Sequence, residues 1–246
     1  MFSKLFVNLF NWNPQLFREI KGRCKTRNVA IAISLSLLCQ FIVMMVFLEK
    51  LPQKYGTDVT LYNGYCVRIG RYCTDINWSN WWVDIFNTLN VILLALMLIG
   101  GVYMLVADLA KEQRLGTLNF IRLSPQSSQK ILLGKLLGVP ILIYLAGAIS
   151  LPLHLWANIS SGLSLFSLIG FYGFLITVCC FFYNISILFA FLGGTQAWLA
   201  TAITSIFLFL SLGIIQSYTD EVYAVSSSDE INILLKVAGI IILGIV

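Results

Sequence analysis

Charge is scarce in this chain. Asp, Glu, Lys and Arg make up 11% of its 246 residues, against about a quarter in soluble domains. Mean hydropathy is +0.86, and 59% of residues are hydrophobic. A soluble fold is thereby excluded, and one polytopic membrane domain accounts for the whole chain. G-x-x-x-x-G-K-[ST], G-x-S-x-G and H-E-x-x-H are all missing, so the chain carries no P-loop of its own and no common hydrolytic motif. With one histidine and six cysteines in no zinc spacing, no metal, cofactor or catalytic residue is expected. Nothing points to nucleic acid.

What is present is a series of apolar runs. Residues 29–48, 85–107, 136–156, 163–192, 197–215 and 231–246 carry no charge except Lys236. A helix of twenty residues spans about 30 Å, the thickness of a bilayer core. The runs predict an all-α integral membrane protein with six transmembrane helices. Pro140 and Pro152 interrupt the third run. The fourth is long enough to tilt or overrun the bilayer. The sixth stops on Val246, which fits either a short terminal span or a truncated chain.

Basic residues set the expected orientation. Lys4, Arg18, Lys21, Arg23, Lys25 and Arg27 precede the first run, and residues 108–135 hold Lys111, Arg114, Arg122, Lys130 and Lys135. Residues 216–230 hold four acids and no base. The positive-inside rule places the first two segments in the cytoplasm, with the chain in the inner (plasma) membrane and its N-terminus inside. Residues 49–84 are then external. Phe2, Leu5, Phe6, Leu9 and Phe10 share one helical face, so residues 1–28 read as a cytoplasmic amphipathic segment, broken at Asn13-Pro14, rather than as a signal peptide. Residues 29–246 form the transmembrane domain.

The charged island at 108–135, DLAKEQRLGTLNFIRLSPQSSQKILLGK, is patterned. Leu115, Leu118 and Ile121 recur at helical spacing among polar residues, which predicts a short helix lying on the membrane face. The pattern also suits a generic amphipathic loop. Glu112, Arg114, Gly116-Thr117-Leu118, Ser124-Pro125 and Ile131 with Gly134-Lys135 resemble the segment after the second span of ABC-2-type transporter permeases. NPQLFREIKGR is similar to the N-terminal region of some cyanobacterial permeases.

The resemblance implies an exporter-like permease subunit that works by alternating access. It would pair with a second permease subunit or half and with a separate ABC ATP-binding subunit, amid membrane lipids. In that family an amphipathic elbow helix precedes the first span. The island forms the coupling helix, here placed at 112–122, so Glu112, Arg114, Gly116, Thr117, Leu118, Arg122 and Pro125 become the ATPase-coupling residues. Pro125 would end that helix, Ser127 or Ser128 would cap the next, and Lys130 and Lys135 would meet the anionic inner leaflet. The chain departs from the family in its longer 49–84 loop and in its stop within the sixth run.

Two other readings stand beside this one. An ion-coupled carrier would need buried ionisable groups, and the first five runs hold no Asp, Glu, Lys or Arg. A non-transporting membrane scaffold would not need a patterned island. Cys66 and Cys73, six residues apart in the external loop, can form a disulfide or remain free thiols. Trp78, Trp81 and Trp82 suit an interfacial aromatic belt. His154 reads as a packing or interfacial residue. Tyr103, Tyr144, Tyr172, Tyr183 and Asn184 either line a pathway or hydrogen-bond between helices.

Overall fold

The computed structural model describes residues 12–52, 64–69, 72–116, 127–194 and 196–210, without the side chains of 68, 69 and 72–74. The described chain is mostly helical. Four helices are long and apolar enough to cross a membrane: α2 (Thr26–Glu49), α3 (Trp78–Arg114), α5 (Ile141–Ser160) and α6 (Leu165–Phe191). Two short helices stand outside them, α1 (Pro14–Arg23) and α4 (Ser128–Gly138). A shorter apolar helix, α7 (Ala197–Leu210), covers most of the fifth run. The sixth run and the face built on Phe2 to Phe10 lie outside the described residues. The chain divides into two compact units, 1–201 and 202–246, and helices α1 to α6 all belong to the first.

The all-α expectation needs one correction. Between α2 and α3 the strands Cys66–Ile69 (β1) and Tyr72–Ile76 (β2) pair antiparallel, with a register shift between Val67 and Arg68. Val67, Ile69, Tyr72, Thr74 and Ile76 are β-branched or aromatic, the types that suit a pleated strand. Asn77 N–H donates to Tyr65 O at 2.8 Å, and Tyr65 Oη donates to Asp84 Oδ2 at 2.6 Å. The hairpin is thus tied to the first turns of α3.

α3 is longer than its apolar run. Its 37 residues reach about 55 Å, well beyond a bilayer core of about 30 Å. The charged residues at both ends of the run are therefore helical too. Asn77 caps the start, its side chain accepting from Asn80 N–H. Near its middle, Leu96–Gly100 forms a π turn. Tyr183 of α6 donates to Met97 O there at 2.6 Å, supplying a partner to a carbonyl in the widened turn.

α3 packs on α5 and α6, α2 on α5, and α1 on α4. Lipid is as apolar as leucine, so close packing and hydrogen bonds hold such helices together. Val43, Phe47, Trp81, Ile85, Phe86, Leu89, Ala157 and Leu168 form one buried cluster. Trp81 is 2% exposed, its Nε1 donating to Phe47 O at 2.8 Å. This corrects the aromatic-belt reading for Trp81: Trp78 stays exposed, while Trp81 is a core residue set edge-on to Trp78 and Trp82. The outward faces carry large apolar side chains such as Leu35, Phe41, Phe166 and Ile176, as lipid contact requires.

Candidate functional site

Six charged side chains from three helices converge at one end of the bundle. At their centre is Lys135 of α4, whose side chain is 4% exposed. Its Nζ lies 2.7 Å from Glu19 Oε1, 2.6 Å from Asp108 Oδ2 and 2.7 Å from Glu112 Oε1. An ammonium has three N–H donors, and each here meets a carboxylate. Arg18 reaches Glu112 Oε1 at 2.9 Å. Arg23 bonds Glu19 Oε2 at 3.3 Å and also pairs with Asp108. Three cations face three anions, so the cluster is neutral as a unit.

Local sequence explains how the groups meet. Asp108 and Glu112 are four apart, on one face of the last turns of α3. Glu19 and Arg23 are four apart on α1. Asn13 caps α1, its side-chain oxygen accepting from Leu16 N–H at 3.1 Å while its amide donates to Lys130 O at 2.8 Å. Proline at the first helical position suits this start. Gly134 and Gly138 then allow α4 to approach α1 closely. A Cβ at Gly134 would lie 2.7 Å from Gln15 Cγ, and one at Gly138 would lie 2.5 Å from Glu19 Cβ. A side chain at either position would push α1 off α4 and lengthen the reach from Glu19 to Lys135.

The cluster tunes its own charges. Burial by itself would raise the Glu19 pKa, but Lys135, Arg23 and Arg18 hold it below its ordinary 4.5. Burial by itself would lower the Lys135 pKa, but Asp108, Glu19 and Glu112 hold it above 10.5. The signs oppose at the two ends of the scale. The Glu19 contribution is present above pH 4.5 and lost as pH falls through its depressed value. The Lys135 contribution is complete below pH 10.5 and lost as pH rises through its raised value. Docking of α1 on α4 is therefore expected to hold between about pH 4.5 and 10.5. Spin labels at Lys21→Cys and Lys130→Cys should give a narrow distance distribution throughout that window, broadening only beyond it as pH falls through the depressed Glu19 value or rises through the raised Lys135 value. A distribution that stays narrow in acid strong enough to protonate Glu19 would show that the ion pairs do not hold α1.

Three carboxylates within 4.8 Å of one another would also suit a metal ion, but Lys135 Nζ contacts all three. The reading of Lys135 as a lipid-headgroup anchor is overturned by the same contacts: it is buried and saturated by carboxylates. Ser127 occupies the N-cap position of α4 without a side-chain hydrogen bond.

The predicted coupling residues divide into three groups. Glu112 belongs to the ion cluster. Arg114 is the last residue of α3 and is exposed. The predicted surface helix does not begin at Glu112, because residues 112–114 are the end of the spanning helix and Gly116, with φ 68°, terminates it. Only a residue without Cβ takes that left-handed turn at no cost. Thr117, Leu118, Arg122 and Pro125 lie outside the described residues. Cys66 is disulfide-bonded; the Cys73 side chain lies outside the described ones, and Cys24, Cys39, Cys179 and Cys180 are free.

Sequence alone missed the roles of Glu19, Asp108 and Lys135. The i,i+4 spacing of Asp108 with Glu112, beside a lone lysine after glycine, was the available signal. Compared with known protein families, curated proteins and solved structures, the chain gives no match.

Proposed function

We propose that the chain is the permease subunit of an ATP-driven transporter of the ABC-2 type, exporter-like, sitting in the inner (plasma) membrane with its N-terminus and the ion cluster on the cytoplasmic side. The observation that carries this reading is the tie across the 117–126 segment. Its two flanks, Glu112 and Lys135, are bonded to each other at 2.7 Å, and both are bonded to α1. A partner pressing on residues 117–126 would move α1, α3 and α4 together, and with them two spans.

On this reading the ATP-binding subunit contacts Arg114, Gly116, Thr117, Leu118, Arg122 and Pro125. Glu112 keeps the lever stiff rather than touching the partner. A second permease subunit or half completes the pathway.

The structure directs the choice of mutation. Glu112 is a cluster residue, so its loss would disturb the fold and the coupling together. Arg114 is exposed and separates the two. In chain purified from native membranes, Arg114→Glu is expected to lower co-purifying P-loop ATPase activity at least tenfold while thermal stability stays unchanged. Wild-type chain without any associated ATPase, yet accumulating solute under a proton gradient in proteoliposomes, would sink the reading in favour of a carrier.

A further inference from the structure

We propose that the seam between α3 and α5 holds a binding site for hydroxyl groups, formed by Asn90, His154 and Asn158 and walled by Phe86, Phe171 and Tyr172. It lies away from the ion cluster and does not rest on the ATP-coupled reading.

Burial and satisfaction mark the place. His154 is 1% exposed and Asn158 0%. Among the described residues His154 Nε2, Asn158 Oδ1 and Asn90 Oδ1 are buried without a hydrogen-bond partner. A buried polar atom that nothing meets is unfavourable, because it has given up water without a replacement. Most buried polar atoms in folded proteins are paired, so several orphans along one seam point to a ligand.

Their alignment follows from how the two helices run. Ser79 Oγ of α3 donates to Ser161 O of α5 at 2.7 Å. The Phe86 and His154 rings lie 4.6 Å apart, and a Cβ on Gly147 would run into Leu93 and Met97. The helices are antiparallel. Asn158 therefore lies one turn from His154 toward the Trp78 end, and Asn90 lies one turn past Phe86 toward the ion cluster. The three side chains occupy successive levels of the seam.

The donor set selects the ligand. His154 Nδ1 is 2.9 Å from Tyr172 Oη, and its ring is edge-on to Phe171 and Tyr172 at 5.5 and 5.6 Å. Asn158 Nδ2 points to Ser164 O at 3.5 Å, which leaves Oδ1 as the acceptor. A hydroxyl both donates and accepts, so it satisfies the amide oxygens and also Nε2 in either imidazole tautomer. An anion would face two carbonyl oxygens. A transition metal would find one imidazole and no thiolate or carboxylate named in the set. The fitting ligand is neutral and bears hydroxyl, whether water or an alcohol.

The chain has a single histidine, so it reports on the site by itself. Full-length chain labelled with [15N]histidine, in lipid nanodiscs, gives one imidazole spectrum. Adding 1-octanol is expected to shift the Nε2 resonance saturably, and octane is not. Asn158→Leu should weaken the octanol effect roughly tenfold, the size of one lost hydrogen bond. Asn90→Leu provides a second reading should the first variant fold poorly. If octanol has no effect but Nε2 shows magnetisation transfer from water, the hydroxyl is water and the site stands. Equal shifts from octane and octanol, or neither an octanol shift nor water contact, overturn the proposal.

Discussion

Lys135→Ala is expected to cost about 3–5 kcal/mol, the range for removing one partner of a buried ion cluster. The loss is large because three carboxylates remain. Glu19, Asp108 and Glu112 would face one another within 4.8 Å, with only Arg18 and Arg23 to offset them, and Arg18 is half exposed. The helices α1, α3 and α4 should separate at that end. Unfolding by SDS titration in mixed micelles measures the cost. A control isolates the cause: Lys135→Met combined with Glu19→Gln should recover most of the stability, because Arg18 still pairs with Glu112 and Arg23 with Asp108, and two cations then face two carboxylates. A Lys135→Ala variant within about 0.5 kcal/mol of wild type, as an ordinary surface change would be, would show that the cluster is wetter than its geometry implies.

Gly101→Val should give the second large effect. Gly101 follows the π turn, and a Cβ placed on it would collide with the Tyr183 phenol ring. A branched side chain must displace that ring and break its 2.6 Å bond to Met97 O. Overpacking typically costs about 1–3 kcal/mol, and leaving a buried acceptor unmet adds about 1–3 kcal/mol. Tyr183→Phe removes only the hydrogen bond and should lose the smaller part. Gly101→Val with Tyr183→Ala makes room and should lie above Gly101→Val alone. Half-lives at elevated temperature in detergent rank the three, since membrane proteins often unfold irreversibly. If Gly101→Val lasts as long as wild type, α3 and α6 are not in the contact described.

Length and hydropathy made legible four helices long and apolar enough to cross a membrane, because a helix that satisfies its own backbone in lipid leaves a contiguous apolar run. The true extent of α3 was not legible from hydropathy. Asp84 and Asp108 mark where the apolar run stops, but the helix continues past both of them, from Trp78 to Arg114. The hairpin at Cys66 was hidden because two short alternating strands resemble a loop beside long apolar runs. Gly116 could be read as part of a family pattern but not as the residue that ends α3.

The cluster around Lys135 was half legible. Each charge is visible in the sequence, but Lys135 reads as a headgroup anchor and Glu112 as a coupling residue, while Glu19 and Asp108 draw no role. What reversed this for Lys135 was the glycine pair Gly134 and Gly138. Their part depends on α1 arriving from more than a hundred residues earlier, which no local pattern reveals. The Trp81 misreading has the same origin: proximity to a membrane boundary predicts an amphipathic ring, while the side chain's direction depends on α2.

The π turn at Leu96–Gly100 has a rotational consequence. A π turn closes on one residue more than an α turn, and one residue is about 100° of helical rotation. The two halves of α3 therefore run in different angular phase. The half before the turn aims Ile85, Phe86 and Leu89 into the bundle; the half after it aims Asp108 and Glu112 at Lys135. A helical wheel drawn straight through residues 78–114 would place one of those sets on the wrong side. The extra residue acts as a fixed twist in the shaft, and it lets one helix present an apolar stripe at one end and an acidic stripe at the other, each toward its own partner.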